Sequence, residues 1–236
     1  LSGICVLAFV PFFRNHTLFQ PVAFDQFFWV LGFYLLIKFF NSENKGYLLL
    51  VGLVAGLGLL NKYTMFVWGF GIAVGLLFYK RGELFKSKWL YVAGGISLVL
   101  FLPNFLWQIQ HDLPFLLHLE VLNQKQLANI TPFEFALAPL ELPFTLAISL
   151  IGLYAMFRTK KLKQYRSVGV AVVVIFVTLW IMNAKAYYFF PAYPVMFAAG
   201  AVQIETWVQH RPNWNYAVAA VLLLPAISFI PEATPI

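Results

Sequence analysis

Charge is what this chain has least of. Lysine, arginine, aspartate and glutamate make up 11% of its 236 residues, and only nine of them are acids. Soluble domains carry roughly 25% charge and 45–50% apolar residues; here hydrophobic residues reach 61%, which excludes an ordinary soluble domain. Cys5 stands alone and excludes an intrachain disulfide or a CxxC site. The alternation of a membrane β-barrel strand is missing. So are a phosphate-binding P-loop, a GxSxG elbow, an HExxH pair and a dinucleotide fingerprint, which leaves ATP or a sugar nucleotide as a direct donor without support.

Long apolar runs are present instead, near the ~17–25 residues that cross about 30 Å of hydrocarbon. About nine segments are expected, near 1–13, 24–40, 47–60, 64–79, 89–107, 133–157, 167–183, 189–208 and 214–230. Because backbone groups in lipid must satisfy one another, the spacing predicts an all-α polytopic bundle. Neither a tandem repeat nor a low-complexity linker interrupts it, so one transmembrane domain over 1–236 is expected. Leu1 opens the chain without methionine and inside an apolar run, as in a fragment lacking its N-terminal helix.

The pI near 9.5 does not point to nucleic acid, because the basic residues fall in short gaps between oily runs. "KRGELFKSK" (80–88) and "RTKKLKQYR" (158–166) are the dense basic loops. Alternation of the segments puts both on one side, expected to be the cytoplasm. Twelve of the sixteen lysines and arginines then lie inside, leaving Arg14, Lys62, Lys125 and Lys185 outside. A multi-pass protein of a bacterial plasma membrane is the expected location.

That topology gathers Asp25, Lys62, Tyr63, His111, Asp112, Lys185, Tyr187 and Tyr188 at the extracytoplasmic ends of helices. Each has a plain reading and a functional one. Asp25 is either a wet residue near a helix N-terminus or a substrate-facing acid, since intramembrane carboxylates face the bundle interior or water. Lys62, after the glycine-spaced Gly52, Gly56 and Gly58, either snorkels to the interface or meets an anion. Lys185 with Tyr187 and Tyr188 matches an aromatic belt. Taken with Lys62 beside Tyr63, it also matches a phosphate site of point charges and hydroxyl donors.

The long loop 108–132 contains "LPFLLHLEVL", read as an amphipathic interfacial helix. His111 and His118 are spaced wrongly for a helical zinc pair, and no metal site or cofactor is expected. Asn15 and Asn129 head glycosylation triplets. Pro103 and Asn104 are expected to bend or end their helix. Glu134 and Glu141, seven residues apart, are expected nearly on one helix face.

Four stretches, in order, carry a resemblance: "FQPVAFDQFFWVLGFYLLIKFF", "GLVAGLGLLNKYTMF", "PNFLWQIQHDLPF" and "AKAYYFFPAYPVMFAAGA". Together, over about residues 18–205, they resemble glycosyltransferase family 39, which includes protein O-mannosyltransferases and lipid A aminoarabinose transferases. The resemblance implies a GT-C fold and transfer of a sugar, with inversion, from a polyprenyl-phosphate-linked donor to an extracytoplasmic lipid, glycan or protein. It implies donor-phosphate binding by Lys62, Lys185, Tyr187 and Tyr188, a substrate-facing acid at Asp25, and looser loop contacts from Tyr63 and His111. The family's catalytic acid lies in a first outer loop that would precede Leu1, so the catalytic residue is unknown and the fragment alone is expected to be inactive. A transporter or flippase, or a non-catalytic subunit handling a lipid-linked saccharide, remains the alternative.

Overall fold

The computed structural model describes residues 1–127, 131–141, 143–211 and 213–233, and every regular element among them is helical. Asn129 and Ile130 of the second triplet and the side chain of Glu141 lie outside the described residues. The order is α1 (Ser2–Ala8), α2 (Pro11–Thr17), α3 (Pro21–Ser42), α4 (Lys45–Asn61), α5 (Thr64–Leu76), α6 (Lys88–Gln110) and α7 (Pro114–Leu122), then α8 (Pro132–Leu137), α9 (Pro143–Arg158), α10 (Arg166–Ile181), α11 (Tyr193–Trp207) and α12 (Asn213–Ala233). Short 3₁₀ segments at Tyr79–Lys86, Ala138–Glu141, Lys163–Tyr165, Ala186–Tyr188 and Phe190–Ala192 make several of the corners.

Proline and short polar caps set the boundaries. Proline opens α2, α3, α7 and α8, where its missing N–H costs nothing. Asn44 caps α4 by accepting from the Gly46 amide at 2.9 Å, and Thr131 with Glu134 forms a capping box on α8. Glu43 ends α3 in a left-handed conformation.

Helix pairs hold the bundle together: α4 packs on α3 and α6, α5 on α10, and α9 on α11. Glycine permits the close approaches. A methyl group on Gly52 would run into the Ala93 carbonyl of α6. One on Gly152 would strike the Met196 carbonyl of α11, and one on Gly200 the Ile148 carbonyl of α9. The glycine-spaced face of α4 therefore makes a close helix contact, as small residues allow in membranes.

The outside of the bundle is oily. Of the side chains on α6, only Ala93 and Phe101 are buried, while Leu98, Val99, Leu102, Phe105 and Leu106 are exposed. An apolar surface of this extent belongs against lipid tails.

The expected count of about nine spans is not reached by length and apolarity. Among the described residues three helices meet that measure, Pro21–Ser42, Lys88–Gln110 and Lys163–Ile181, with a fourth if the bent pair Pro132–Leu140 and Pro143–Arg158 is one span. Lys45–Asn61, Thr64–Leu76 and Asn213–Ile227 are shorter apolar helices. The first expected segment is broken between α1 and α2 ahead of Pro11.

Pro103 sits inside α6, which runs on to Gln110, so of the two expected outcomes an end of the helix is excluded. One local expectation is corrected. Glu134 and Glu141 do not share one α-helical face, because α8 gives way to a 3₁₀ segment at Ala138 and the chain turns by 98° before α9.

Candidate functional site

The site is built on the two-residue corner between α4 and α5. All four residues of "NKYT" are tied down. Asn61 Nδ2 donates to the Pro21 carbonyl at 3.0 Å, joining the corner to the start of α3. Thr64 Oγ1 donates to Asp25 Oδ2 at 2.8 Å, and Lys62 Nζ stands 3.7 Å from the same oxygen. Tyr63 hydroxyl donates to Asn104 Oδ1 at 2.6 Å and packs edge-on against Phe115 of α7, with 4.2 Å between ring centroids.

Asp25 is 1% exposed, which overturns the wet-helix reading of this residue. Its Oδ1, with the indole nitrogens of Trp29 and Trp68, is buried without a hydrogen bond. Next to it on α3, Gln26 Oε1 pairs with His16 Nε2 at 3.1 Å, and His16 stacks on Phe12. The N-terminal end of α3 is thus a polar knot inside an apolar protein.

Lys62 links this knot to the second half of the chain. Its ammonium lies 4.4 Å from the Tyr188 ring centroid and 5.2 Å from that of Tyr187. Such contacts are worth roughly 0.5–2 kcal/mol each. The two phenol rings meet edge to face at 4.6 Å, and Lys185 Nζ lies 5.9 Å from Tyr187. Burial lowers the Lys62 pKa from its ordinary 10.5, the Asp25 carboxylate opposes that shift, and Lys185 adds to it. Burial also raises the Tyr187 pKa, so its hydroxyl stays protonated.

The chain just after the two tyrosines, from the 3₁₀ segment Phe190–Ala192 into α11, joins an aromatic cluster. Phe9 of α1 contacts Phe190, Tyr193 and Phe197 at 5.1, 4.7 and 5.7 Å between centroids. Pro191 lies in the 3₁₀ segment that leads into α11, and Pro194 lies in the first turn of α11.

Asp25, Lys62, Lys185, Tyr187 and Tyr188 are therefore brought together, and Tyr63 reaches the loop helix α7. His111 turns back on its own helix, with Nδ1 2.8 Å from the Trp107 carbonyl and its ring stacked on Trp107 at 4.5 Å. Asp112 and Leu113 follow in left-handed conformations that turn the chain into α7. Asn15 lies in α2 with its amide nitrogen buried, so its glycosylation triplet is not an open acceptor. Thr64 and Asn104, both with direct bonds into the site, carried no sequence signal as ligands: short polar residues serve helix ends equally well.

The two basic loops lie together at the other end of α3. Glu43, just past its C-terminus, pairs with Lys80 of the first. Asn41 accepts from the Tyr165 hydroxyl of the second at 2.7 Å. Along α3 that end is about 24 Å from Asp25, at about 1.5 Å per residue.

Residues 1–107 match the model of the dolichyl-phosphate-mannose-protein mannosyltransferase family. No curated protein and no solved structure matches. The match takes in α1 to α5, with Asp25, Lys62 and Tyr63, and most of α6. Lys185, Tyr187 and Tyr188 fall outside it and join the site through geometry.

Proposed function

We propose that this integral membrane glycosyltransferase of the GT-C type takes its sugar from a polyprenyl-phosphate donor and passes it to an acceptor at the face where Asp25 and Lys62 lie. The matched family is named for a sugar carried on dolichyl phosphate, a polyprenyl phosphate, and that name supports the donor class. The observation that carries the reading is Lys62 itself. It is a cation 18% exposed, held by Asp25 on one side and by two tyrosine rings on the other, with Lys185 nearby.

In the transfer, the bond between the anomeric carbon and the lipid phosphate breaks while a bond to the acceptor oxygen forms. Negative charge grows on the departing phosphate, and cations already in place stabilise it without reorganising. Lys62 and Lys185 supply that charge, and the protonated hydroxyl of Tyr187 supplies a donor. Asp25 acts as a positioning residue: its Oδ2 is engaged by Lys62 and Thr64 and its Oδ1 is buried, so it does not serve as the base that takes the acceptor proton.

Orientation follows from the basic loops at the far end of α3. Lysine and arginine accumulate on the cytoplasmic side, which supports an extracytoplasmic position for the Asp25–Lys62 face.

Membranes containing the protein, incubated with a panel of polyprenyl-phosphate sugars, test the reading. It predicts release of free polyprenyl phosphate coupled to a new glycosidic product. Movement of the intact lipid-linked sugar across the bilayer without bond cleavage would replace it with a transporter.

A further inference from the structure

We propose a second lipid site, in the leaflet opposite the Asp25–Lys62 cluster, that holds an anionic phospholipid with its phosphate between Arg158, Lys163 and Arg166. A hollow of about 720 Å³ opens there, lined by Leu150, Leu153, Tyr154 and Phe157 of α9 together with those three cations. Its lining contains no acid. Among the described residues none of the three cations forms an ion pair, although the neighbouring Lys161 is engaged with Thr206 at 3.2 Å. Three positive charges left uncompensated around one concavity are complementary to a phosphate group.

The backbone reinforces the charge. Arg166 is the first residue of α10, so the positive end of that helix dipole faces the same region. The turn is held in shape by Thr159 Oγ1 donating to the Ala155 carbonyl at 2.9 Å, by the Lys163 amide donating to the Thr159 carbonyl at 3.0 Å, and by the Tyr165–Asn41 bond. The cations are therefore presented by an anchored turn.

The hollow also selects for an amphiphile. Leu150 and Tyr154 are 55% and 57% exposed on the outer face of an apolar helix. Leu150 and Leu153 also line a second hollow of about 370 Å³, whose other walls include Val172, Val173 and Phe176. An acyl chain entering beside the phosphate has an apolar path leading away from the cations into the bundle. A soluble anion would leave that path unused. The Tyr165–Asn41 bond places the site at the end of α3 remote from Asp25, so it is separate from the proposed donor site and does not depend on it.

The test is the melting temperature of the purified protein in nanodiscs containing phosphatidylcholine, with or without phosphatidylglycerol. Lipid affinity is read in parallel by native mass spectrometry. Phosphatidylglycerol is expected to raise the melting temperature of the wild-type protein, and the variant R158Q/K163Q/R166Q to bind it at least about tenfold more weakly. Leu150→Trp, which fills the exposed mouth of the hollow without changing charge, is expected to lose the same stabilisation. Lys160→Gln, a change in the same turn outside the hollow, is expected to keep it. Equal stabilisation of wild type and Leu150→Trp, or equal losses in Lys160→Gln and the triple variant, overturns the proposal. So does an equal shift with inorganic phosphate alone, which would identify a site for a soluble anion.

Discussion

Asp25 Oδ2 lies 3.7 Å from the ammonium of Lys62 and accepts a hydrogen bond from Thr64, joining the start of α3 to the corner between α4 and α5. Asp25 is one of few buried polar side chains among the described residues. Its effect is to hold a lysine in one orientation, with Tyr187 and Tyr188 on its other side. Removing the carboxylate leaves a desolvated cation without its partner, a change that costs about 3–5 kcal/mol in buried pairs. Asp25→Asn is expected to lower the melting temperature in detergent markedly, and the double variant Asp25→Asn/Lys62→Met to recover most of the loss. Equal melting of the single and double variants would mean the pair is not coupled.

The protonation of Lys62 gives a pH signature. Burial lowers its pKa from 10.5 despite the opposing pull of Asp25. A lowered lysine pKa means the cation is intact at low pH and is lost as pH rises, earlier than for an ordinary lysine. The alkaline limb of transferase activity is expected below the usual lysine range. Lys62→Arg should move that limb upward, because guanidinium keeps its proton above pH ~12. A pH–rate profile in which both proteins share one alkaline limb assigns that limb to another group.

Tyr63 and Asn104 form a bond between the corner and α6. Tyr63→Phe and Asn104→Ala are each expected to cost about 1 kcal/mol, and the double variant little more than either alone. A double-mutant cycle on melting free energy checks this: additive losses would show that the hydroxyl and the amide act independently.

Gly152 and the carbonyl of Met196 approach so closely that α9 and α11 have no room for a β-carbon between them. Gly152→Val is expected to destabilise by about 1–3 kcal/mol by forcing the helices apart. Gly94, which has open space around its α-carbon, is the control, and Gly94→Ala should leave the melting temperature unchanged or slightly higher. Equal effects at both positions would argue against the glycine contact.

That these polar residues lie near one another was legible where charge had to be sheltered from lipid. Asp25, Lys62 and Lys185 stand out in a chain so poor in charge, and topology alone put them at one end of the bundle. The pairing was not legible. Nothing in "GLGLLNKYTMF" says that the anion beside Lys62 is the protein's own Asp25, because the choice of partner is made by the packing of α3 against α4. Thr64 and Asn104 were silent for the same reason. Helix ends beyond proline were also hidden: the 3₁₀ segment at Ala138–Glu141 breaks a run that reads as one helix through Glu134 and Glu141, and the chain turns sharply after it. His111, expected as a loop contact, has Nδ1 2.8 Å from the Trp107 carbonyl, a local pairing that its place in the loop does not announce.

The central claim is that Lys62 and Lys185 together stabilise a departing lipid phosphate. Turnover of a polyprenyl-phosphate sugar by Lys62→Gln and Lys185→Gln, normalised to the amount of folded protein at the assay temperature, tests it most directly. Each variant is expected to lose about 100-fold or more in kcat, with a smaller change in KM. Turnover retained within about twofold of wild type in both, at equal folding, would contradict it.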